Sequence, residues 1–308
     1  MKVYENILET IGQTPLVRLH KVEEACNLKS RLYAKLESFN PTNSVKTRPA
    51  YYMIKGLYEQ GLMNKDTVII EATSGNTGIG LAMVAAYYGN PCKLFMPDTL
   101  SKERIDFMKQ YGAEIILTDG ALGIKGTIDK AVETNKAIKN SVIPSQFTNH
   151  LNPLSHYETT GPEIDEALEG KVDYVFSGVG TGGTISGLAR YFKEKEFDIK
   201  MIAVEPASSS VLSGNLPGKH KIQGIGAGFI PEVLDLALVD EVVMVKDEEA
   251  YALTKMLPRL EGISIGISSG AVLAATLDYL KNHQIEDKDI VMIFPDSGEK
   301  YFSTGVFE

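Results

Sequence analysis

Short apolar runs alternate with longer amphipathic stretches along nearly the whole chain. The runs at 31–37, 67–71, 172–177, 200–204, 241–245 and 290–294 read as strands, with shorter candidates at 16–19, 91–96, 114–117 and 142–144. Apolar residues recur at helical spacing over 51–59, 78–88, 102–111, 124–139, 153–168, 184–193, 248–257 and 269–280. A short amphipathic helix is expected over 3–11. Continuous apolar strands between amphipathic helices predict an α/β fold with open, mostly parallel sheets covered on both faces. The NHLNP stretch at 149–153 interrupts the pattern and places a domain boundary near residue 150, between parts 1–150 and 151–308. Residues 208–221 show no periodicity and read as a mobile loop of the length that often serves function.

Composition narrows the function classes. A length of 308 residues suits two domains or one large one, and the net charge of −9 leaves no basic patch for nucleic acid or an anionic membrane. Cys26 and Cys92 form no CxxC pair, which speaks against a disulfide framework or a thiolate zinc site. The five histidines lack metal-ligand spacing, so no metal is expected. The N-terminus has no apolar signal region and no run spans a bilayer, so a reducing cytoplasm is the expected location.

Candidate chemistry lies where strands give way to helices, the usual ligand side of an open parallel sheet. The polar turn NPTNS (40–44) delivers Lys46 to the start of a helix. A lysine there opposes the helix dipole and its amine pKa should fall, which suits a nucleophile better than a solubilising charge. The loop TSGNTG (73–78) combines hydroxyls of Thr73, Ser74 and Thr77, the Asn76 amide and the flexible Gly75 at a helix N-terminus. That is an anion pocket suited to a carboxylate, although an ordinary cap uses the same residue types. The loop GVGTGGT (178–184) can turn successive N–H groups towards a phosphate. It lacks the Gly-Lys-Ser/Thr of a Walker loop. Glu205 closes the next strand about 20 residues on, where a dinucleotide-binding acid would hold ribose, so a dinucleotide-dependent oxidoreductase is a competing reading. A third loop, GISSGA (266–271), offers serines that can cap a helix or pair with a ring nitrogen. A lysine, a phosphate cradle and a separate carboxylate pocket together fit pyridoxal 5'-phosphate, which needs a lysine for its Schiff base.

These motifs resemble the cysteine synthase and cystathionine β-synthase family of pyridoxal-phosphate enzymes. The resemblance spans nearly the whole chain, through IGQTPLVR (11–18), NP with SVK (40–46), EATSGNTGIG (71–80), QF (146–147), GTGGT (180–184), IQGIGAGFIP (222–231), GISSG (266–270) and PDSGEKY (295–301). It implies a fold of the tryptophan synthase β type, fold type II, with the cofactor between two α/β domains. The smaller, mobile one would cover about 40–150, and residues of about 12–36 would complete the larger one. It implies that Lys46 carries the Schiff base and shuttles the Cα proton, that Asn76 meets the ring hydroxyl, and that Gly180, Thr181, Gly182, Gly183 and Thr184 bind the phosphate. Ser268 would face the pyridine nitrogen, with Ser269 the second candidate. Thr73, Ser74, Gly75, Thr77 and Gln146 would bind the substrate carboxylate. A homodimer is implied, and some relatives dock an acetyltransferase.

The chain departs from the family pattern at Thr42 and Asn43, where small residues are usual, and at Thr47 and Pro49, where Asp-Arg usually follows the lysine directly. The implied activity is β-replacement on a serine-type amino acid through an aminoacrylate, with a thiol or sulfide as acceptor. Cysteine synthase, using O-acetylserine and sulfide, leads. Release of hydrogen sulfide from cysteine, cystathionine synthesis, a hydro-lyase and a catalytically silent relative are the alternatives. Glu232 follows the IQGIGAGFIP stretch and is a candidate general base, with a solvated surface carboxylate as the plainer reading.

Overall fold

The computed structural model describes residues 3–73, 75–98 and 102–308, except the side chains of 122 and 123. Its strands are β1 (Leu16–Arg18), β2 (Arg31–Leu36), β3 (Val68–Ala72), β4 (Cys92–Pro97), β5 (Glu114–Thr118), β6 (Ser141–Val142), β7 (Tyr174–Gly178), β8 (Lys200–Pro206), β9 (Glu241–Val245) and β10 (Asp289–Phe294). The first helices are α1 (His20–Ala25), α2 (Thr47–Glu59), α3 (Asn76–Tyr88), α4 (Lys102–Gln110) and α5 (Gly123–Ala137). The later ones are α6 (Leu151–Ser155), α7 (Gly161–Leu168), α8 (Gly183–Glu194), α9 (Asp247–Glu261) and α10 (Ile267–Asn282). No helix among the described residues is long and apolar enough to cross a membrane.

Several elements differ from the hydrophobic pattern, each for a local reason. Residues 3–11 form only a 3-10 turn, Ile7–Thr10, capped by the Asn6 side chain, which accepts from Leu8 N at 3.0 Å. Helix α1 was not legible, because six residues hold too little periodicity. The helix expected over 153–168 is α6, a π-helical stretch His156–Thr160 and then α7. Helix α9 runs through Pro258 to Glu261 instead of stopping before it. Residues 210–221 hold no helix or strand, and the stretch is tied to β8 by the buried Glu205. Its carboxylate accepts from Leu212 N and Ser213 N at 2.9 Å and from Ser213 Oγ at 2.6 Å. That commitment removes the ribose-binding acid on which the dinucleotide reading rested.

The chain forms two compact units, residues 1–11 with 40–152 and residues 12–39 with 153–308. The first contains a parallel four-stranded sheet in the order β5-β4-β3-β6. Along β3, Ile69 enters a core with α2, α3 and α4 residues such as Ile54, Val84 and Met108, whereas Ile70 packs with Phe95 and Ala131 of α5 on the other face. Helices on both faces make the sheet doubly wound. The second unit contains a six-stranded sheet, β1-β2-β10-β7-β8-β9. Only the β1–β2 pair is antiparallel, and Ile290 registers against Leu32 on one side and Tyr174 on the other. Each sheet changes winding direction once, between β3 and β6 and between β7 and β10. Ligands of open α/β sheets bind outside the strand ends at such a switch point.

Candidate active site

In the first unit, Lys46 is the N-cap of α2, with φ −71° and ψ −11°, and is half-buried. Its main chain is held by close helix contact: a Cβ added to Gly80 of α3 would lie 2.9 Å from Lys46 O and from Ala50 Cβ. Glycine at 80 is therefore what lets α2 and α3 meet at the lysine. The turn before it is equally fixed. Asn43 takes φ +54°, a left-handed conformation that asparagine tolerates, and its N–H donates to Asn40 O at 2.8 Å. Thr42 and Thr47, two of the departures from the family pattern, are buried and pair through their hydroxyls at 2.5 Å, and Thr47 Oγ1 donates to Ser44 O at 2.9 Å. The hydroxyl pair fastens the turn without a carboxylate beside the lysine.

The loop after β3 begins with Thr73, whose N–H donates to Phe95 O at 2.9 Å and whose Oγ1 accepts from Gly75 N at 3.3 Å. Ser74 lies outside the described residues. Gly75 is the N-cap of α3, Asn76 its half-buried first residue and Thr77 its second. Thr77 Oγ1 donates to Gln146 Oε1 at 2.7 Å, and both residues are buried. Gln146 follows β6, so the two meet at the β3/β6 switch point. Arg104 of α4 completes the surroundings, because a Cβ on Gly75 would meet its Nη1 at 2.9 Å. No local pattern points to Arg104, since only the packing of α4 on α3 brings it there.

In the second unit, the loop after β7 leads into α8 through the N-cap Gly182, at φ +82°. A Cβ on Gly180 would fall 2.3 Å from Gly224 O, and one on Gly182 would fall 2.6 Å from Leu234 Cβ. Both positions exclude side chains. Thr181 is buried and its Oγ1 accepts from Gly183 N at 3.3 Å, and Thr184 Oγ1 lies 3.2 Å from Nε2 of the buried His156. The 222–231 stretch packs directly on this loop, with Gly226 N donating to Val179 O at 2.9 Å. Ser268, buried in the first turn of α10, has its Oγ 3.8 Å from the Cβ position of Gly224. Ser269 Oγ is buried with no hydrogen-bond partner among the described residues. The turn carrying both is buttressed by the PDSGEKY motif: Gly266 N donates to Asp296 O at 3.1 Å, and Tyr301 Oη donates to Asp296 Oδ2 at 2.7 Å. Glu232 is exposed just past the 222–231 stretch.

Three helices, α3, α8 and α10, have glycine N-caps and no side-chain cap. With no side chain at the N-cap, each keeps first-turn N–H groups that a bound anion can meet. A family model for pyridoxal-phosphate-dependent enzymes matches residues 7–296. The chain belongs to that family. It is 48% identical to a cysteine synthase of Buchnera aphidicola, over 99% of this chain and 96% of that protein. A cysteine synthase structure from Entamoeba histolytica aligns with a TM-score of 0.96 and 43% identity, covering 99% of this chain and 91% of that one. A hydrogen sulfide-producing enzyme of Fusobacterium nucleatum aligns with a TM-score of 0.93 and 47% identity, covering 97% and 100%. The fold is that of the cysteine synthases, and the chain is a pyridoxal-phosphate-dependent β-replacement enzyme. The residues present fit the cofactor. The side-chain-free cradle at Gly180 and Gly182, ahead of an α8 N-terminus with no side-chain cap, suits a phosphate. A neutral serine hydroxyl suits an unprotonated ring nitrogen.

Proposed function

We propose that the chain is a cytoplasmic cysteine synthase acting as a homodimer, converting O-acetylserine and hydrosulfide into cysteine and acetate. The observation that carries this reading is the Thr77–Gln146 pair beside the α3 N-terminus, in the unit whose α2 begins at Lys46. It supplies a carboxylate site and an amine, which is what an amino-acid substrate requires. Gly180, Thr181, Gly182, Gly183 and Thr184 would hold the cofactor phosphate, Ser268 its ring nitrogen and Asn76 its ring hydroxyl. When bound, pyridoxal phosphate supplies the electron sink that loosens the Cα–H bond. Lys46 Nζ then takes the Cα proton and later returns it. Gln146 and the N–H groups opening α3, with Thr73, Ser74 and Gly75, hold the substrate carboxylate. Acetate leaves Cβ with the electron pair of the Cβ–O bond, and hydrosulfide adds at the same carbon. An acetyltransferase that makes the acetylated donor is a fitting partner.

A second reading, release of hydrogen sulfide from cysteine, is favoured by the 47% identity to the hydrogen sulfide-producing enzyme. Under it Glu232 would assist the poorer thiolate leaving group. Each donor supplied alone, with products followed by mass spectrometry and released sulfide assayed, separates the two. Turnover of O-acetylserine on addition of sulfide supports the main reading. Rapid sulfide release from cysteine, reduced in Glu232→Gln, with little turnover of O-acetylserine, would replace it. Lys46→Ala should lose the borohydride-reducible absorption band and about a thousandfold or more of the activity.

A further inference from the structure

Glu71 is a buried acid that the chemistry above leaves without a task. It lies on β3 two residues after Ile69 and so faces the same core. Its side chain is withdrawn from water and, among the described residues, forms no ion pair. Instead it gathers backbone donors. Glu71 Oε1 accepts from Ala72 N at 3.2 Å and Oε2 accepts from Ser145 N at 2.9 Å, and the neighbouring Gln146 N–H faces the carboxylate closely enough to favour its charged form. Ser145 has φ +60°, a left-handed conformation that costs a non-glycine residue on the order of 1 kcal/mol. Consecutive N–H groups in such a bend converge on one point and form an anion nest. The protein fills that nest with its own carboxylate.

We propose that Glu71 is the positioning residue of the amino-acid carboxylate pocket. It holds the main chain after β6 in the bend that turns the Gln146 side chain onto Thr77. The proposal rests on the reading of Thr77 and Gln146 as carboxylate binders. The rest of the segment is tied at its other end: Gln146 O accepts from Asn152 Nδ2 at 2.8 Å, and Pro144 O accepts from Asn149 Nδ2 at 2.9 Å. Glu71 supplies the acceptor for the N–H side of the bend. Because Thr77 Oγ1 donates to Gln146 Oε1, the Gln146 amide is oriented with its Nε2 donors left for an anion. A rotation of the 145–146 peptide would break that hydroxyl contact and take the amide donors with it. The β3/β6 switch point is thus set from inside by one carboxylate rather than by the loop residues alone.

Glu71→Gln keeps one acceptor but sets an NH2 group against a backbone N–H. The test uses the cofactor-loaded enzyme. The KM for the amino-acid donor should rise roughly tenfold, with kcat within about threefold and cofactor content unchanged. Amide hydrogen exchange over residues 143–149 should lose protection. On a Gln146→Ala background, Glu71→Gln should add less than about twofold, because both act through one contact. Unchanged KM, unchanged protection, or a full additional loss on the Gln146→Ala background would each overturn the proposal. If the wild type turns over no β-substituted amino acid, the carboxylate reading fails instead. Hydrogen exchange then still decides whether Glu71 sets the bend. Should Glu71→Gln not fold, Glu71→Asp retains an acceptor that is one methylene short and is read by the same exchange and KM measurements.

Discussion

The Thr77 hydroxyl donates its proton to Gln146 Oε1, so in the proposed carboxylate pocket it would act by aiming the amide. Thr77→Val keeps the shape and removes the donor. The KM for the amino-acid donor should rise about fivefold, equivalent to a lost neutral hydrogen bond of ~1 kcal/mol, while cofactor absorbance stays at the wild-type level. Loss of cofactor in that variant would show that the carboxylate and cofactor functions are not separable. Glu71 has a second measurable property. Burial pushes its carboxyl up to about 7 from the ordinary value of 4.5, against the N–H groups of Ser145, Ala72 and Gln146, which favour the charged form. The folded chain therefore holds this proton to higher pH than the unfolded chain does. The stability contributed by this group is greatest below pH 4.5 and falls until about pH 7. The total fall is about 3 kcal/mol. Burial first and the Glu71 charge second also push the thiol of Cys92, on the adjacent strand, up to about 12, so Cys92 does not titrate in this window. Denaturant midpoints measured across that range should show the fall in the wild type and a flatter profile in Glu71→Gln.

At the scale of elements, the site depends on helix N-termini that carry no capping side chain. A serine or aspartate cap would satisfy a further α8 donor internally, whereas Gly182 brings no capping side chain. Gly182→Val places a β-branched residue at φ +82° and against Leu234. Cofactor affinity should drop at least tenfold, since a left-handed valine costs upwards of ~1 kcal/mol and the loop must shift to admit it. Unaltered affinity by fluorescence titration would place the phosphate elsewhere. The π-helical stretch His156–Thr160 makes a comparable demand. It brings His156 Nδ1 within 2.9 Å of Thr160 Oγ1 and Nε2 within 3.2 Å of Thr184 Oγ1. A Cβ on Gly187 of α8 would meet Pro153 O at 2.2 Å and His156 Cβ at 2.8 Å. Gly187→Ala should therefore destabilise the protein by roughly 2 kcal/mol, visible as a lower urea midpoint at unchanged slope.

For the molecule as a whole, each sheet reverses its winding once, and each reversal carries one of the two glycine-containing loops proposed to bind an anion. The larger unit is discontinuous in sequence and is stitched by a polar network around the buried Lys35. Lys35 on β2 is 1% exposed, and its Nζ donates to Thr14 O and to Glu163 Oε2 on α7, each at 2.6 Å. Glu163 Oε1 in turn accepts from Gln13 N at 2.9 Å. The network joins residues 13–35 to a helix more than a hundred positions later. Lys35→Met removes the cation and leaves a carboxylate with too few donors, so a loss of about 3 kcal/mol is expected. A change below ~1 kcal/mol in chemical denaturation would mean that solvent replaces the lysine.

The alternation of apolar strands with amphipathic helices, together with the glycine-rich loops, determined the α/β fold class and the pyridoxal-phosphate chemistry, because both are written in neighbouring residues. A strand is read from its own period, and Lys46, Thr77 and Gly182 announce themselves by standing at strand-to-helix junctions. Helices α2 and α3 begin earlier than their periodicity because their first turns, although buried, are built largely from polar and small residues that leave little apolar period to read. What only the tertiary structure decided is which distant residues meet. Arg104 against Gly75, His156 against Thr184, Asp296 beneath Gly266 and Glu71 under Ser145 and Gln146 depend on strand order and helix packing. The local sequence cannot encode these, since each is a pairing between positions far apart. Glu205, whose spacing suggested a ribose ligand, was decided by the path of the loop that follows it. Folding commits it to the backbone of residues 212 and 213, because a buried carboxylate takes the nearest N–H donors that the chain brings to it.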